Sequence, residues 1–124
     1  MNIIGYFEIQ SSESQREVRF YNNVFGWIFT RDHNIPIEYY RISTGSIHGG
    51  LLKRATPTPP LSSETNAFTC SIQVENFDQT AKLIIHNGGK VAMPKFAIAK
   101  KCFQGYFTDQ DNNIFGIFEV DENA

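Results

Sequence analysis

The chain has 124 residues, of which 41% are hydrophobic and 14% aromatic, and its net charge at pH 7 is −2. This length suits one ordinary domain, and the apolar share is large enough to build a packed core, so a disordered chain is excluded. The chain has no basic stripe and no apolar run long enough to span a bilayer, so no nucleic-acid partner and no membrane partner is predicted.

The first half of the chain predicts one strand, one helix and three further strands. Residues 3–10 alternate so that Tyr6, Glu8 and Gln10 share one face of a strand. Residues 11–26 predict a helix, with Ser12 as the N-cap in a capping-box pattern and Gly26 as the stop. Strands follow at 27–32, 37–44 and 45–54.

The middle of the chain, residues 53–66, holds three of the five prolines and shows no periodicity. Such a composition is typical of an exposed linker. We therefore divide the single domain 1–124 into a first module at 1–53, a linker at 54–66 and a second module at 67–124.

The second half repeats the order of the first. A strand is predicted at 67–74, with Phe68, Cys70, Ile72 and Val74 on one face. A helix follows at 75–89, with Asn76 as its cap. Three strands then follow at 90–94, 100–109 and 114–120, the last two joined by a turn.

An internal repeat connects the two halves, because Ile9-Gln10 matches Ile72-Gln73 and Gly26 matches Gly89 at a constant offset of 63 residues. Each half is one supersecondary unit that cannot bury its apolar face alone. The predicted fold is therefore α+β, with two βαβββ modules that form a curved mixed β-sheet around a cleft and helices on its outer face.

The cellular location follows from the N-terminus and the cysteines. The first ten residues lack the basic and apolar regions of a secretory signal. Cys70 and Cys102 lack CxxC spacing, which suggests two buried thiols in a reducing compartment. We expect a cytoplasmic protein.

Several segments resemble the glyoxalase/bleomycin resistance/extradiol dioxygenase superfamily, also called vicinal oxygen chelate proteins. They are "RFYNNVFGW", "GGLLKR", "NGGKV" and the ending "YFTDQDNNIFGIFE". The match is closest to the glyoxalase-related subgroup, which includes proteins related to lactoylglutathione lyase. In the ending, residues 109–112 replace the family's usual Asp-Pro-Asp/Glu-Gly turn and lack its Pro and Gly. The resemblance implies two βαβββ modules around one cleft and frequent dimerisation, so a homodimer is expected.

Catalytic members of this superfamily hold a divalent metal (Zn, Ni, Mn or Fe) with His, Glu or Gln from the first and last strand of each module. Carried over to this chain, the first-strand positions fall on Tyr6 and Thr69, and the last-strand positions fall on Gly50 and Gly116. These residues cannot supply the ligand set, so no metal and no other cofactor is predicted. A divalent metal belongs only to the alternative in which the protein is an enzyme.

Glu8 and His48 lie two residues from ligand positions and are the candidate acid–base residues. The competing interpretations are a cleft-rim carboxylate paired with Arg41 or a lysine, and a strand histidine bonded to a neighbour or to water. The predicted ligand-binding residues are Tyr6, Glu8, Gln10, His48, Thr69, Ser71, Gln73, Gln104, Tyr106 and Phe118. The alternative is that these polar side chains form a solvated sheet face.

Three functions stay open at this point, and the sequence does not decide whether the protein is an enzyme. The first is a metal-free protein that binds a small molecule in its cleft, with an aromatic molecule as the candidate ligand. The second is an enzyme: either a metal-dependent lyase, isomerase or dioxygenase, or a metal-free acid–base catalyst. The third is a dimeric interaction module with a vestigial cleft.

Overall fold

The structure, a computed structural model, describes residues 3–54, 57–59 and 68–124. The first half contains β1 (Phe7–Ser11), α1 (Ser14–Phe25), β2 (Ile28–Arg31), β3 (Tyr39–Ser43) and β4 (Gly49–Lys53). The second half contains β5 (Ser71–Gln73), α2 (Phe77–His86), β6 (Lys90–Ile98), β7 (Cys102–Thr108) and β8 (Ile114–Val120). This order confirms the α+β class and the repeated βαβββ unit.

The curved sheet is built from two four-stranded mixed sheets of identical topology. The first has the order β1-β4-β3-β2 and the second the order β5-β8-β7-β6. In each, the first strand of the unit runs parallel to the last, and the remaining pairs are antiparallel. The module boundaries at 1–53 and 67–124 stay a prediction, since most of the linker 54–66 lies outside the described residues.

One core joins the two helices to the second sheet. It contains Phe20, Tyr21 and Val24 of α1, Phe77 and Ile84 of α2, and Phe107, Phe115 and Ile117 of β7 and β8. Ile9 of β1 and Ile72 of β5 pack against this cluster, so both sheets turn one face towards it. The faces that point away from the core are called the open faces below.

The helix ends agree with the sequence prediction in two places and differ in one. Gly26 ends α1 in the left-handed conformation (φ 71°), and Asn76 caps α2 by accepting a 2.9 Å hydrogen bond from the Gln79 amide. The prediction that Ser12 caps α1 is wrong, because the N-cap is Glu13 and makes no side-chain cap bond. Ser12 is instead directed to Asp111, to which its backbone amide donates at 3.1 Å.

The turn at 109–113 holds the two halves together. Asp109 Oδ1 accepts from the amides of Asp111 (2.8 Å) and Asn113 (2.9 Å), and Asn112 adopts a φ of 62°. Asn tolerates this left-handed conformation better than most residues, so the turn closes without the family's glycine. Tyr21 Oη donates to Asp109 Oδ2 at 2.7 Å and ties the turn to α1.

Asp111 is the centre of a buried ion-pair cluster at the same joint. Its carboxylate is fully buried and accepts from Arg54 Nε at 2.7 Å and from Arg16 Nη2 at 2.8 Å. Arg54 also donates to Asn113 Oδ1 at 2.8 Å. Burial alone would raise the pKa of Asp111, but the hydrogen bonds from Ser12 and Arg54 outweigh it and lower that pKa.

Two predictions about the second half are wrong in detail. The strand predicted at 67–74 is only three residues long, and Phe68 and Cys70 are exposed rather than packed beside Ile72 and Val74. Cys102 is half-buried, and both cysteines are free thiols. Within the described residues, neither helix has the length and apolarity needed to cross a bilayer.

Candidate functional site

A chain of four hydrogen-bonded side chains lies on the open face of the first sheet. Arg41 Nη1 donates to Tyr6 Oη at 3.1 Å, and Tyr6 and Tyr39 join their hydroxyls at 2.8 Å. Tyr39 Oη donates to Glu8 Oε2 at 2.9 Å. The hydroxyl proton of Tyr39 is donated to Glu8, so in the bond between the two hydroxyls Tyr6 must be the donor and Tyr39 the acceptor. The chain of hydrogen bonds is therefore donated in one direction, from Arg41 through Tyr6 and Tyr39 to Glu8.

Gly50 makes room for this arrangement. In the sheet register Gly50 lies between Glu8 on β1 and Arg41 on β3. A Cβ atom on Gly50 would overlap the hydroxyl of Tyr39, whose ring crosses over that position. Glycine is therefore required here by the close approach of the phenol. Tyr39 is only 6% exposed although it lies on an open face.

The protonation of Tyr39 follows from its surroundings. Burial, together with the hydrogen bonds to Tyr6 and Glu8, raises the pKa of Tyr39 above its ordinary value. The phenol therefore stays neutral and keeps donating to Glu8 at every physiological pH. Arg41 forms an ion pair with Asp32 at 3.0 Å and is linked to Glu8 through the hydroxyls of Tyr6 and Tyr39.

The second sheet repeats the arrangement with other residues. Gln104 Nε2 donates to Ser71 Oγ at 3.1 Å, and Gln104 is 7% exposed. Gly116 lies between Ser71 on β5 and Tyr106 on β7. A Cβ atom on Gly116 would come within 2.6 Å of Gln104 Nε2, so this glycine is also covered by a polar side chain.

The two sheets correspond position by position. By register, Glu8 matches Ser71, Gly50 matches Gly116, Arg41 matches Tyr106 and Tyr39 matches Gln104. In each half, a long polar side chain from the third strand covers the glycine of the fourth and bonds to the first. The repeat that the sequence shows at Ile9 and Ile72 therefore extends to the geometry of the open faces.

The remaining predicted site residues divide between the two faces. Gln10 lies on the first open face, and Gln73 and Phe118 lie beside Gln104 on the second. His48 is exposed immediately before β4, and Thr69 is half-buried before β5. The structure therefore brings Tyr6 and Glu8 together on one sheet and Ser71, Gln104 and Tyr106 together on the other.

The sequence analysis did not include Arg41 or Tyr39 among the predicted ligand-binding residues. The period-two alternation of β3 placed both on one face, so the signal was present. What was missing was the strand pairing, which puts Tyr39 over Gly50. The neighbouring Tyr40 pairs with buried Leu51 and lies on the other side of the sheet.

A comparison with protein-family models identifies the superfamily of this chain. The model of the Glyoxalase/Bleomycin resistance protein/Dioxygenase superfamily matches residues 3–117. The chain belongs to this superfamily. Its resemblance in sequence is thereby confirmed over nearly the whole chain. No match is found among curated proteins.

Solved structures of superfamily members have the same fold. A glyoxalase/bleomycin resistance protein/dioxygenase family enzyme from Burkholderia phytofirmans is 19% identical, with a TM-score of 0.75 over 94% of this chain and 97% of that one. A domain from Frankia sp. is 14% identical, with a TM-score of 0.78 over 100% and 96%. The fosfomycin resistance protein FosX from Listeria monocytogenes, solved with Mn(II) and a dihydroxypropylphosphonic acid, is 12% identical, with a TM-score of 0.78 over 98% and 94%.

A superfamily metal does not fit the residues of this chain. Two of the four carried-over ligand positions, Gly50 and Gly116, have no side chain, and Tyr39 and Gln104 fill the space that a ligand would need. Within residues 3–54, 57–59 and 68–124, no three His, Cys, Asp or Glu side chains converge to hold an ion. The other two carried-over positions, Tyr6 and Thr69, are not the His, Glu or Gln that catalytic superfamily members use.

Proposed function

We propose that this superfamily member is a metal-free binding protein for a small aromatic molecule, which it holds on the open faces of its two sheets. The observation that carries the proposal is the replacement of both last-strand ligand positions by a glycine covered with a polar side chain. Tyr39 and Gln104 are each held by a neighbour, so their polar atoms are fixed in place. Fixed polar groups among aromatic side chains are typical of small-molecule sites.

Apolar surface beside these polar groups supports an aromatic ligand. On the second open face, Met93 is 42% exposed and Phe96 is 38% exposed, and both pair with β7 next to Tyr106 and Gln104. Phe118 is half-buried in the same row. A planar ligand would bury these side chains while it exchanges hydrogen bonds with the amide of Gln104 or the phenol of Tyr106.

A thermal-shift screen of small aromatic acids and amides against the metal-free protein tests this proposal. Ligands that raise the melting temperature are then titrated into Tyr39→Phe, with Tyr40→Phe as the matched control on the opposite face. We expect Tyr39→Phe to weaken binding about tenfold, because it removes the hydroxyl that holds Tyr6 and Glu8 in place on the open face, and one such hydrogen bond contributes about 1 kcal/mol or more. Equal affinity in both variants would refute a site at Tyr39.

We also propose that the protein is a homodimer. The support is further apolar surface on the second open face, where Ile98 is 41% exposed and Val120 is 62% exposed. Patches of this kind in soluble proteins usually mark an interaction surface. Sedimentation velocity should give a dimer for the native chain and a monomer for Ile98→Glu, and a monomeric native chain would contradict the proposal.

A further inference from the structure

A second concave surface lies on the helix side of the second sheet, away from both open faces. It is a groove of about 550 Å³ between α2 and β6. Its apolar lining comes from Phe77, Ala81, Ile85, Val91, Pro94 and Phe107. This volume is in the range of small-molecule sites, which run from roughly 300 to 1,000 Å³.

The groove lies where α2 packs beside an irregular part of its sheet. β6 is the edge strand, and its pairing with β7 shifts register on both sides of Met93, next to Pro94. Two large aliphatic side chains of the groove are exposed to solvent, with Ile85 49% exposed and Val91 52% exposed. Their partners in the groove, Phe77 and Phe107, are 3% and 2% exposed and form a firm base.

The ammonium groups of two lysines, Lys82 and Lys95, lie beside this apolar groove. Lys95 Nζ lies 4.4 Å from the ring centroid of Phe103 and 5.3 Å from that of Phe77, and it bonds to the exposed Asp78 at 3.2 Å. Lys82 lines the groove and forms no ion pair within the described residues. The groove therefore combines an uncovered apolar base with a cation that lacks a counter-charge, in a protein whose net charge is −2.

We propose that this groove binds an apolar monocarboxylate of the medium-chain fatty-acid class. The tail covers Ile85 and Val91 and removes them from water, which is the main source of affinity. The carboxylate lies at Lys82 and Lys95 and supplies the missing negative charge. The site shares no residue with Tyr39, Gln104 or their partners, so it stands independently of the function proposed above.

Isothermal titration calorimetry with sodium decanoate below its micelle concentration tests the proposal. We expect saturable binding of one decanoate per chain and no binding of decyltrimethylammonium. Lys82→Glu should weaken decanoate binding about tenfold, which corresponds to about 1.4 kcal/mol. Ile85→Asp should abolish it, and Lys101→Glu, the matched charge reversal at an exposed lysine outside the groove, should leave it unchanged.

Each opposite result overturns the proposal. Absence of saturable binding, or equal affinity in Lys82→Glu and Lys101→Glu, removes the groove as an anion site. Loss of decanoate binding in Tyr39→Phe places the ligand on the open face instead. A native dimer that Ile85→Asp converts to a monomer in sedimentation velocity would show that a second copy covers the groove.

Discussion

Tyr39 occupies the space above Gly50 that a side chain on the last strand of the first module would need. The same strand position in the second module is Gly116, and there the amide of Gln104 takes the place of the phenol. In both halves, the covering group is hydrogen-bonded to the first strand. These open faces are therefore built around fixed neutral polar groups.

The first prediction concerns the fit between Gly50 and Tyr39. Gly50→Ala should destabilise the protein by about 1–3 kcal/mol, the usual cost of overpacking a filled site. In a Tyr39→Leu background, the same substitution should cost much less, because the overlapping ring atoms are gone. Urea unfolding of the four proteins in this double-mutant cycle measures the coupling. Additive costs would show that the two residues do not contact each other.

The second prediction concerns the joint between the halves. Asp111→Asn should cost about 3–5 kcal/mol, because it breaks a buried ion-pair cluster and leaves Arg54 without its anion. The control is Asp78→Asn, which removes the ion pair of an exposed carboxylate with Lys95 and should change stability by about 0–1 kcal/mol. Denaturant midpoints compare the two. An equal, small effect would mean that Asp111 does not hold the joint.

The third prediction is a pH dependence that originates at Glu17. This fully buried side chain accepts hydrogen bonds from Ser11 Oγ and, at 3.0 Å, from Arg16 Nε. Burial raises the pKa of Glu17 above its ordinary 4.5, despite the lowering effect of these two partners. The pKa of Asp109 is also raised, because the effect of burial exceeds the lowering effect of its hydrogen bonds with Tyr21 and Asn113.

A carboxyl group whose pKa is higher in the folded than in the unfolded protein stabilises the fold fully at a pH below its unfolded pKa. This stabilisation is lost as the pH rises through its folded pKa. The native protein should therefore lose stability as the pH increases above about 4.5. Glu17→Gln, which cannot ionise, should lose less over the same interval, while the contribution of Asp109 persists. Urea unfolding between about pH 4 and 8 measures both slopes. Parallel slopes would show that Glu17 does not titrate with a raised pKa.

The sequence was sufficient for the fold because each element carries its own local signal. Gly26 ends α1 as its left-handed φ allows, and Asn76 caps α2. The period-two pattern of β1 also placed Glu8 and Tyr6 on one face. Ser12 was misassigned because its competing partner, Asp111, is 99 residues away in the sequence. A local capping pattern cannot reveal a contact of that kind.

The site was only partly predictable for the same reason. Glu8, Ser71, Gln104 and Tyr106 were found from strand alternation. The role of Tyr39 depends on the register of β3 against β4, which is set by tertiary packing. Phe68 and Cys70 continue the alternation of β5 in sequence, but the strand begins only at Ser71, so the strand was predicted too long and Cys70 was wrongly predicted to be buried.

The central claim is that Tyr39 and Gln104, rather than metal ligands, complete the open faces. The most direct test is the metal content of the purified protein by elemental analysis, before and after loading with Zn, Ni, Mn and Fe. We predict substoichiometric metal that dialysis removes and that Gly50→Ala and Gly116→Ala do not change. One tightly held metal ion per chain would contradict this account and make a metal-dependent reaction the function of the protein.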